Sequence, residues 1–448
     1  MNNFQDLVSS VDINENKFIE KSESIGPVLF NLSSQRLPHS FHDSLKSFYK
    51  NKLKDKFKEI YEGKIVNPTE RKSVSHFEYR KPLEKRRDKF LNQQKSMFEK
   101  SNKIKEKING PIIFFGIGGS QLAPSFLYES LMIELKEKVI FITGSDPDEF
   151  RDKLDDINLA ESLFIVASKS FSTIETLDAY KRTTNLDFLD KTYAITASPS
   201  EAKKFGIPTD NILEFDENTG GRFSIWSTIN LLMPILLDEE SYASFLEGGN
   251  LVDEEILEKG PESIILTLSS QDIFYNNVLK SQTNLILNYD WRLRGFSKYA
   301  QQIEMESNGK SIDLQGNEIQ HESNSTVWGG YGPESQHSFF QQVFQGTKKY
   351  NIYLISSTNN KEQLNFAQYL GLSKSLEDGT PENTENFRAS SSKAFTKIEL
   401  NEITPKSLGV LMAAWENKTI LNSLFWNINA FDQWGVELGK QNTIKFYS

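Results

Sequence analysis

The sequence lacks cysteine entirely and contains little histidine, and both absences restrict its chemistry. Without thiols, the chain has no disulfide framework, no cysteine-ligated zinc or iron–sulfur centre and no thiol nucleophile. The five histidines are spread along the chain and form no cluster with the spacing of a metal site: His39, His42, His76, His321 and His337. The sequence therefore contains no candidate metal site.

A long hydrophobic run is also missing. The longest one, Leu231–Leu237, is far shorter than the roughly 20 residues that span a bilayer. The N-terminus, from Met1 to Asp6, has no basic region followed by an apolar one, as a secretory signal would have. We therefore expect a cytoplasmic protein.

The composition is typical of a folded globular chain. Its 448 residues predict about two or three domains, and 38% hydrophobic residues are enough to build a large core. The formal net charge is −10, which makes general nucleic-acid binding improbable because phosphate backbones favour basic surfaces. The basic stretch from Arg80 to Lys107 is interleaved with acidic residues, which favours a solvated helix face over a nucleic-acid arm.

From residue 111 onward, short apolar runs alternate with helical stretches such as Ala123–Leu135 and Thr173–Thr183. A first block of predicted strands comprises Ile112–Phe115, Val139–Ile142, Leu163–Ala167, Tyr193–Thr196 and Ile212–Phe215. A second block comprises Asn284–Leu287, Ser325–Trp328, Asn351–Ile355 and Ala394–Ile398, and a long helix is predicted from Pro405. This alternation predicts an α/β fold with two domains built on mainly parallel sheets.

The chain divides by these patterns into five parts. Residues 1–110 are a mostly helical N-terminal segment and residues 111–240 a first α/β domain. Residues 241–280 connect it to a second α/β domain, residues 281–404, and residues 405–448 form a helical C-terminal segment. The acidic, glycine-containing stretch Asp238–Pro261 is expected to be a linker or a surface connection.

Two strand-to-helix junctions of the first block are candidate ligand sites, because open parallel sheets bind ligands at the carboxyl ends of their strands. Gly116–Ser120 leaves amide groups free and lets a ligand approach, although such a loop is equally often a tight structural turn. It departs from the dinucleotide fingerprint at Gln121. Ser168–Thr173 offers four hydroxyls and the ammonium of Lys169 at a helix N-terminus. One N-cap needs one hydroxyl, so the surplus favours phosphate binding over capping alone.

Other candidates stay open at this level. Arg222, after two glycines and before a strongly apolar helix predicted from Phe223, can stabilise an oxyanion or simply pair with Asp216 or Glu217. The helix that begins near Arg294 ends in Glu304–Lys310, with Gly309 as its expected C-cap, and glutamates at such an end are usually solvated. His337 stands in a segment, Ser335–His337, that is predicted to open a helix continuing through Phe339–Gln342, and a lone histidine is more often structural than catalytic. Residues alone thus indicate an anion-binding α/β protein that acts on a phosphorylated small molecule.

Six stretches, in this order, closely resemble the glucose-6-phosphate isomerase (phosphoglucose isomerase) family. They cover the chain from about Pro111 to Lys440, and residues 1–110 give no clear match. The stretches are Gly116–Ser120, Ser168–Thr176, Gly220–Ser227, Gln301–Lys310, Gln336–Phe339 and Phe431–Lys440. The resemblance implies two doubly wound sugar-isomerase (SIS) domains and the reversible conversion of glucose 6-phosphate and fructose 6-phosphate in glycolysis and gluconeogenesis, without metal or organic cofactor.

The resemblance also implies roles for individual residues. Glu306 matches the base that moves a proton between C1 and C2 through a cis-enediolate, and Arg222 the cation that stabilises the enediolate. His337 and Lys440 match the residues that open the sugar ring, with His337 contributed by the partner subunit of a homodimer. The positions that match substrate contacts are Gly118, Gly119, Ser120, Ser168, Lys169, Ser170, Thr173, Gly221, Gln302 and Gln433.

Two alternatives accompany this interpretation. A non-catalytic sugar-phosphate sensor built on the same domains would need the phosphate site but neither Glu306 nor Lys440, so their presence argues against it. A broader isomerase that also converts mannose 6-phosphate stays open, because the sequence does not reveal which face of the enediolate receives the proton.

Overall fold

The computed structural model describes residues 4–131, 138–359, 361–379 and 392–447. Its strands are β1 (Ser22–Ile25), β2 (Val28–Asn31), β3 (Ile65–Asn67), β4 (Lys72–Ser73), β5 (Ile112–Phe115), β6 (Val139–Ile142), β7 (Leu163–Ala167), β8 (Thr192–Thr196), β9 (Ile212–Glu214), β10 (Thr283–Asn288), β11 (Thr326–Tyr331), β12 (Asn351–Ser357) and β13 (Phe395–Leu400).

The α-helices are α1 (Phe4–Ser9), α2 (His39–Phe48), α3 (Lys54–Tyr61), α4 (His76–Arg80), α5 (Asp88–Lys107), α6 (Leu122–Leu131), α7 (Pro147–Leu154), α8 (Ile174–Thr184), α9 (Pro199–Phe205), α10 (Leu232–Leu236), α11 (Glu239–Lys259), α12 (Ile264–Ile273), α13 (Phe296–Asn308), α14 (Gly332–Gln336), α15 (Phe340–Gln345), α16 (Leu364–Asp378), α17 (Pro405–Trp426) and α18 (Trp434–Tyr447). The last part of the helix predicted over Ala123–Leu135 lies outside the described residues.

The first sheet has the strand order β6-β5-β7-β8-β9, and all its pairs are parallel. Its central strands β5, β7 and β8 are buried along their whole length, as continuous apolar runs predict for strands covered on both faces. The chain reverses its direction of travel across the sheet between β5 and β7. At such a point the loops after the two strands diverge and leave a crevice, where ligands bind in open α/β sheets.

The second sheet has the order β1-β2-β13-β12-β10-β11. Strands β10 to β13 pair in parallel, whereas β2 joins β13 in the antiparallel direction and β1 joins β2. The predicted α/β fold class with two mainly parallel sheets is confirmed. The mostly helical N-terminal segment nevertheless contributes β1 and β2 to this sheet. The sequence did not indicate this, because β1 has no apolar run and the partner of β2 in the sheet, β13, is distant in sequence.

The stretch Asp238–Pro261 is not the linker or surface connection that its acidic composition suggested. It is mostly helix α11, capped by the Asp238 carboxylate, which accepts a hydrogen bond from the amide of Ser241 at 2.7 Å. The helix packs closely on α17, because a Cβ at Gly248 would lie 2.1 Å from the carbonyl oxygen of Lys406. Much of α11 is therefore core, and its charged face alone produced the linker-like pattern.

Helix α17 is buried from Ser407 to Trp426 and carries two charged residues into the core. Glu416 accepts a hydrogen bond from Tyr299 of α13 at 3.1 Å. Lys418 Nζ lies 3.0 Å from the carboxylate of Glu304, which is also on α13. The side-chain amide of Asn308 donates to the carbonyl oxygen of Thr419 at 3.0 Å. Helix α13 is thus fixed along its length, and its opposite side faces the first sheet's loops.

Candidate active site

The carboxyl ends of β5 and β7 bring the two predicted ligand loops to one edge of the first sheet. Gly118–Ser120 forms a short 3₁₀ turn after β5, in which Gly118 has a φ of +57° that favours glycine. A Cβ at Gly119 would lie 2.2 Å from the backbone of Gly221, so only glycine allows these two loops to meet. The turn is therefore a close backbone contact as well as a candidate ligand loop.

The hydroxyls of the second loop are not used to cap the helix that follows. Thr173 is the N-cap residue of α8, but its side chain makes no capping hydrogen bond. Instead, Thr173 Oγ1 lies 3.0 Å from Ser168 Oγ, and Ser172 Oγ donates to Ser170 Oγ at 2.7 Å. The four hydroxyls thus bond in pairs beside the positive end of the α8 dipole, which suits an anion.

The side chain of Lys169, in the same loop, is half-buried. It lines a cavity shared with Lys72, His76 and Glu217. Burial, and then the neighbouring charge of Lys72, lower the pKa of Lys169 below its ordinary value. The contribution of this ammonium to the anion site stays a prediction, and the backbone of Lys169 is likewise a candidate contact.

Arg222 is buried and fully occupied by acceptors. It stands in a 3₁₀ segment, Gly221–Trp226, and not in the long apolar helix predicted from Phe223. The break has a physical cause: Ser227 is extended, and its side chain caps the next turn by accepting from the amide of Ile229 at 3.3 Å. Arg222 Nε donates to Ser307 Oγ at 2.7 Å.

The guanidinium of Arg222 also reaches the C-terminal part of the chain. Nη2 donates to the carbonyl oxygens of Ala430 at 2.5 Å and Asp432 at 3.2 Å, and Nη1 donates to Gln433 Oε1 at 3.1 Å. Burial lowers the pKa of Arg222, although the carboxylates of Glu306 and Asp432 raise it. Arginine keeps its charge under all ordinary conditions, so a fixed positive charge lies inside the protein.

Glu306 is the carboxylate that faces this charge. Its Oε1 lies 3.2 Å from Arg222 Nη1, and its Oε2 accepts from Gln302 Nε2 at 2.8 Å. Glu306 and Gln302 are four residues apart on α13 and therefore share one helix face. The Glu306 side chain keeps 19% of its surface exposed. A Cβ added to Gly118 would lie 3.2 Å from Gln302 Nε2, so the amide lies beside the glycine loop. A partly accessible carboxylate is thus held between a cation and an amide at the crevice.

The alternative partners considered for Arg222 are engaged elsewhere or exposed. Asp216 pairs with Lys89 at 2.7 Å, and Glu217 is exposed. The expected C-cap of α13 at Gly309 is correct, and Glu304, which its position near a helix end suggested was solvated, is fully buried.

Among the described residues of one chain, the predicted site residues His337 and Lys440 make no contact with Glu306. His337 is exposed and is the C-cap residue of α14, so the prediction that Ser335–His337 opens a helix is wrong. Its predicted continuation forms a separate helix, α15, which begins at Phe340. Pro333 explains the error, because proline favours the first turn of a helix and sets the start at Gly332. Lys440 is exposed on α18 and pairs with Glu437 at 2.8 Å.

Several polar residues support the site without having been predicted. Lys310 pairs with Asp432 at 3.1 Å, and Asp432 Oδ2 accepts from Thr69 Oγ1 at 2.6 Å. Asn429 Nδ2 donates to Asn67 Oδ1 at 2.8 Å. Asn67 and Thr69 lie some 360 positions from Asn429, and no periodic pattern marks such contacts.

Within the described ranges, no group of three or more His, Asp or Glu side chains is arranged to hold a metal ion. In the described part of the chain, no helix has both the length and the apolar composition that crossing a bilayer requires.

Comparisons of the sequence with known proteins agree on one family. The family model for phosphoglucose isomerase matches residues 31–446, so the similarity begins well before the Pro111 limit inferred from motifs. A glucose-6-phosphate isomerase of Christiangramia forsetii is 30% identical, over 87% of this chain and 81% of the relative. One from Zymomonas mobilis is 33% identical, over 86% and 80%.

Solved structures share the fold. A glucose-6-phosphate isomerase from Chlamydia trachomatis has a TM-score of 0.88 at 24% identity, covering 99% of this chain and 94% of that one. A hypothetical protein from Thermus thermophilus has a TM-score of 0.73 at 21% identity, over 94% and 100%.

Proposed function

The chain belongs to the phosphoglucose isomerase family and is an aldose–ketose isomerase, and we propose that it interconverts glucose 6-phosphate and fructose 6-phosphate with Glu306 as the proton-transfer base. The observation that carries this proposal is the accessible Glu306 carboxylate held 3.2 Å from the buried Arg222 guanidinium, at the crevice of the first sheet. A sensor would need only an anion site, so this pair favours catalysis.

The proposed chemistry follows from the charges at this crevice. Removing a proton from C1 or C2 of an opened sugar phosphate leaves negative charge on the adjacent oxygens, and Arg222 is already in place to stabilise it. Because an arginine stays protonated, it cannot compete with Glu306 for the proton. One carboxylate can return the proton on the face from which it came, which is the geometry of a cis-enediolate.

The phosphate is proposed to bind to the hydroxyls of Ser168, Ser170 and Thr173 and to the backbone around Lys169. The hydroxyls at the N-terminus of α8 support this, because they bond to one another and Thr173 makes no capping hydrogen bond. Gly118, Gly119, Ser120, Gly221, Gln302 and Gln433 are proposed to contact the substrate. All these groups belong to the protein, so the proposed steps use no metal or organic cofactor.

The test of this function is a coupled assay that follows conversion of fructose 6-phosphate to glucose 6-phosphate, with and without a chelator. We expect conversion at an unchanged rate in both conditions. Measurable binding of fructose 6-phosphate without conversion, even at high protein concentration, would contradict catalysis and support the sensor. Product analysis decides whether mannose 6-phosphate also forms.

The phosphate site gives a prediction on binding. Thr173→Val removes one hydroxyl without changing the volume, and we expect KM to rise about 10- to 100-fold, the range for a hydrogen bond to a charged group. The value of kcat should change little, because the reacting carbons are distant from the phosphate. Thr184→Val, at the other end of α8, removes a hydroxyl that donates to the carbonyl oxygen of Tyr180 and serves as the control. An unchanged KM in Thr173→Val would remove this hydroxyl from the site.

We further propose that the active form is a homodimer in which His337 completes the partner's site. Helix α18 supports this, because it exposes apolar side chains that a monomer has no reason to leave in water. The exposed fractions are 59% for Trp434, 46% for Val436, 62% for Leu438 and 92% for Phe446. His337 is itself exposed and makes no contact with Glu306 among the described residues of one chain. Lys440, on the same helix α18, is proposed to act with His337 in ring opening.

Mixing two inactive variants tests the shared site. His337→Ala and Glu306→Gln subunits, unfolded together and refolded, should form hybrids in which one of the two sites is intact. We expect about a quarter of the wild-type activity from a random mixture of the subunits. Activity that stays at the level of the separate variants would place His337 and Glu306 of each site on one chain.

A further inference from the structure

Lys310 joins the helix that carries Glu306 to the C-terminal loop that holds Arg222. Its ammonium donates to the carbonyl oxygens of Ser307 at 2.8 Å, Asn429 at 2.8 Å and Asp432 at 3.0 Å. It also lies 3.1 Å from Asp432 Oδ1, with only 17% of the lysine side chain exposed. One partly buried charge therefore ties the end of α13 to residues 429–432.

The same loop supplies most of the acceptors of Arg222. The carbonyl oxygen of Asp432 accepts from both Lys310 and Arg222, and that of Ala430 and the side chain of Gln433 accept from Arg222 alone. The position of the guanidinium is consequently set by the position of the loop. Arg222 also contacts Glu306 Oε1 and Ser307 Oγ at the end of α13. The carbonyl oxygen of the same Ser307 binds Lys310.

A turn of the N-terminal segment holds the other side of this loop. Thr69 Oγ1 donates to Asp432 Oδ2 at 2.6 Å, and Asn429 Nδ2 donates to the same carboxylate oxygen at 2.8 Å. Asn429 also donates to Asn67 Oδ1 at 2.8 Å. The Asp432 carboxylate is thus shared between Lys310 and the turn that joins β3 to β4.

We propose that Lys310, paired with Asp432, is a positioning residue for the isomerisation, whose ammonium fixes residues 429–433 and thereby holds Arg222 against Glu306. The inference rests on the proposed function of Glu306 and Arg222. The contacts of Lys310 described above involve neither the phosphate loop nor the substrate crevice. Its loss should therefore act on kcat and leave KM nearly unchanged, because misplacing a group that stabilises the transition state affects the chemical step.

The positive charge of Lys310 gives a second readout. The charged groups that face it are Arg222, Glu306 and Asp432. Burial, and then the charge of Arg222, lower the pKa of Lys310 to about 8, although Asp432 and Glu306 raise it. Below this value the ammonium pairs with Asp432, and above it the pairing is lost. Activity should therefore fall as the pH rises through about 8.

The experiment measures kcat, KM and the pH profile of Lys310→Met and Lys310→Arg. Lys310→Met is expected to lower kcat about 100-fold with little change in KM, the scale for a displacement of about 1 Å. Lys310→Arg keeps the charge at all pH values, so it should retain more activity than Lys310→Met and lose the alkaline decline. Lys204→Met removes a lysine from an exposed ion pair with Glu201 and should change nothing.

Thr69→Val provides a milder variant in case Lys310→Met fails to fold. Loss of one hydrogen bond to Asp432 should lower kcat about five- to tenfold. A Lys310→Met enzyme with wild-type kcat, or a Lys310→Arg enzyme with an unchanged alkaline decline, would overturn the positioning role while leaving the isomerase function intact. A wild-type protein without isomerase activity would instead contradict the proposed function and the inference with it.

Discussion

Replacing Glu306 with glutamine is expected to lower kcat about 10³- to 10⁴-fold, near the upper range for loss of a general base. Glutamine has the same shape but cannot accept a proton from carbon. Its amide can still meet Arg222 and Gln302, since the Gln302 side chain can turn its oxygen towards the new amide group. Substrate binding should survive, because the proposed phosphate contacts lie on another loop. The measurement is kcat and KM in the coupled assay together with direct binding of fructose 6-phosphate.

Two further variants accompany this prediction: a control at another glutamate and a smaller change at Glu306 itself. Glu201→Gln makes the same change at an exposed glutamate paired with Lys204, and wild-type kinetics are expected. Glu306→Asp keeps a carboxylate but withdraws it by one methylene, and about 100-fold lower kcat is expected from the displacement. A Glu306→Gln enzyme with near-normal turnover would remove Glu306 from the chemistry.

Replacing Arg222 with lysine is expected to lower kcat about 10²- to 10³-fold, the scale for removing one preorganised group that stabilises an oxyanion. Lysine keeps the charge but not the planar fork, so it cannot bond Ser307, Gln433 and the two carbonyl oxygens together. Each buried acceptor left without a partner also costs about 1–3 kcal/mol of folding free energy. The variant should therefore lose both activity and thermal stability.

The two losses can be separated experimentally. Kinetics are measured well below the unfolding temperature of the variant, with circular dichroism confirming that it is folded. Arg151→Lys changes an exposed arginine paired with Asp148 and should leave kcat and stability unchanged. A folded Arg222→Lys enzyme with wild-type kcat would show that the guanidinium is structural only.

The strands of the first sheet could be predicted from sequence almost residue by residue. Ile112–Phe115, Val139–Ile142 and Leu163–Ala167 have the predicted ends. Buried parallel strands are continuous apolar runs bounded by polar and glycine residues, so both their type and their limits are visible in a single chain. Strand β1 was missed because it has no apolar run, and β2 and the buried helix α11 were missed because their partners, β13 and α17, are distant in sequence.

The candidate site was predictable only in part, for a related physical reason. Glycine-rich and hydroxyl-rich loops after strands carry a local signal, and motif resemblance adds Glu306 and Arg222. The contact between Arg222 and the loop around Asp432 joins residues some 210 positions apart, and its acceptors include backbone carbonyls that every residue possesses. Support by Asn67 and Thr69 depends equally on tertiary packing, and side-chain identity alone does not indicate it.

The most direct test of the central claim follows the substrate's own hydrogen atoms. The enzyme is incubated with glucose 6-phosphate in deuterium oxide for many turnovers, and proton NMR measures the C2 hydrogen. A base such as Glu306 exchanges its proton with solvent in some turnovers, so we predict progressive loss of the C2 proton signal with the wild-type enzyme and none with Glu306→Gln. Deuterium incorporation by Glu306→Gln at the wild-type rate would contradict proton transfer by Glu306.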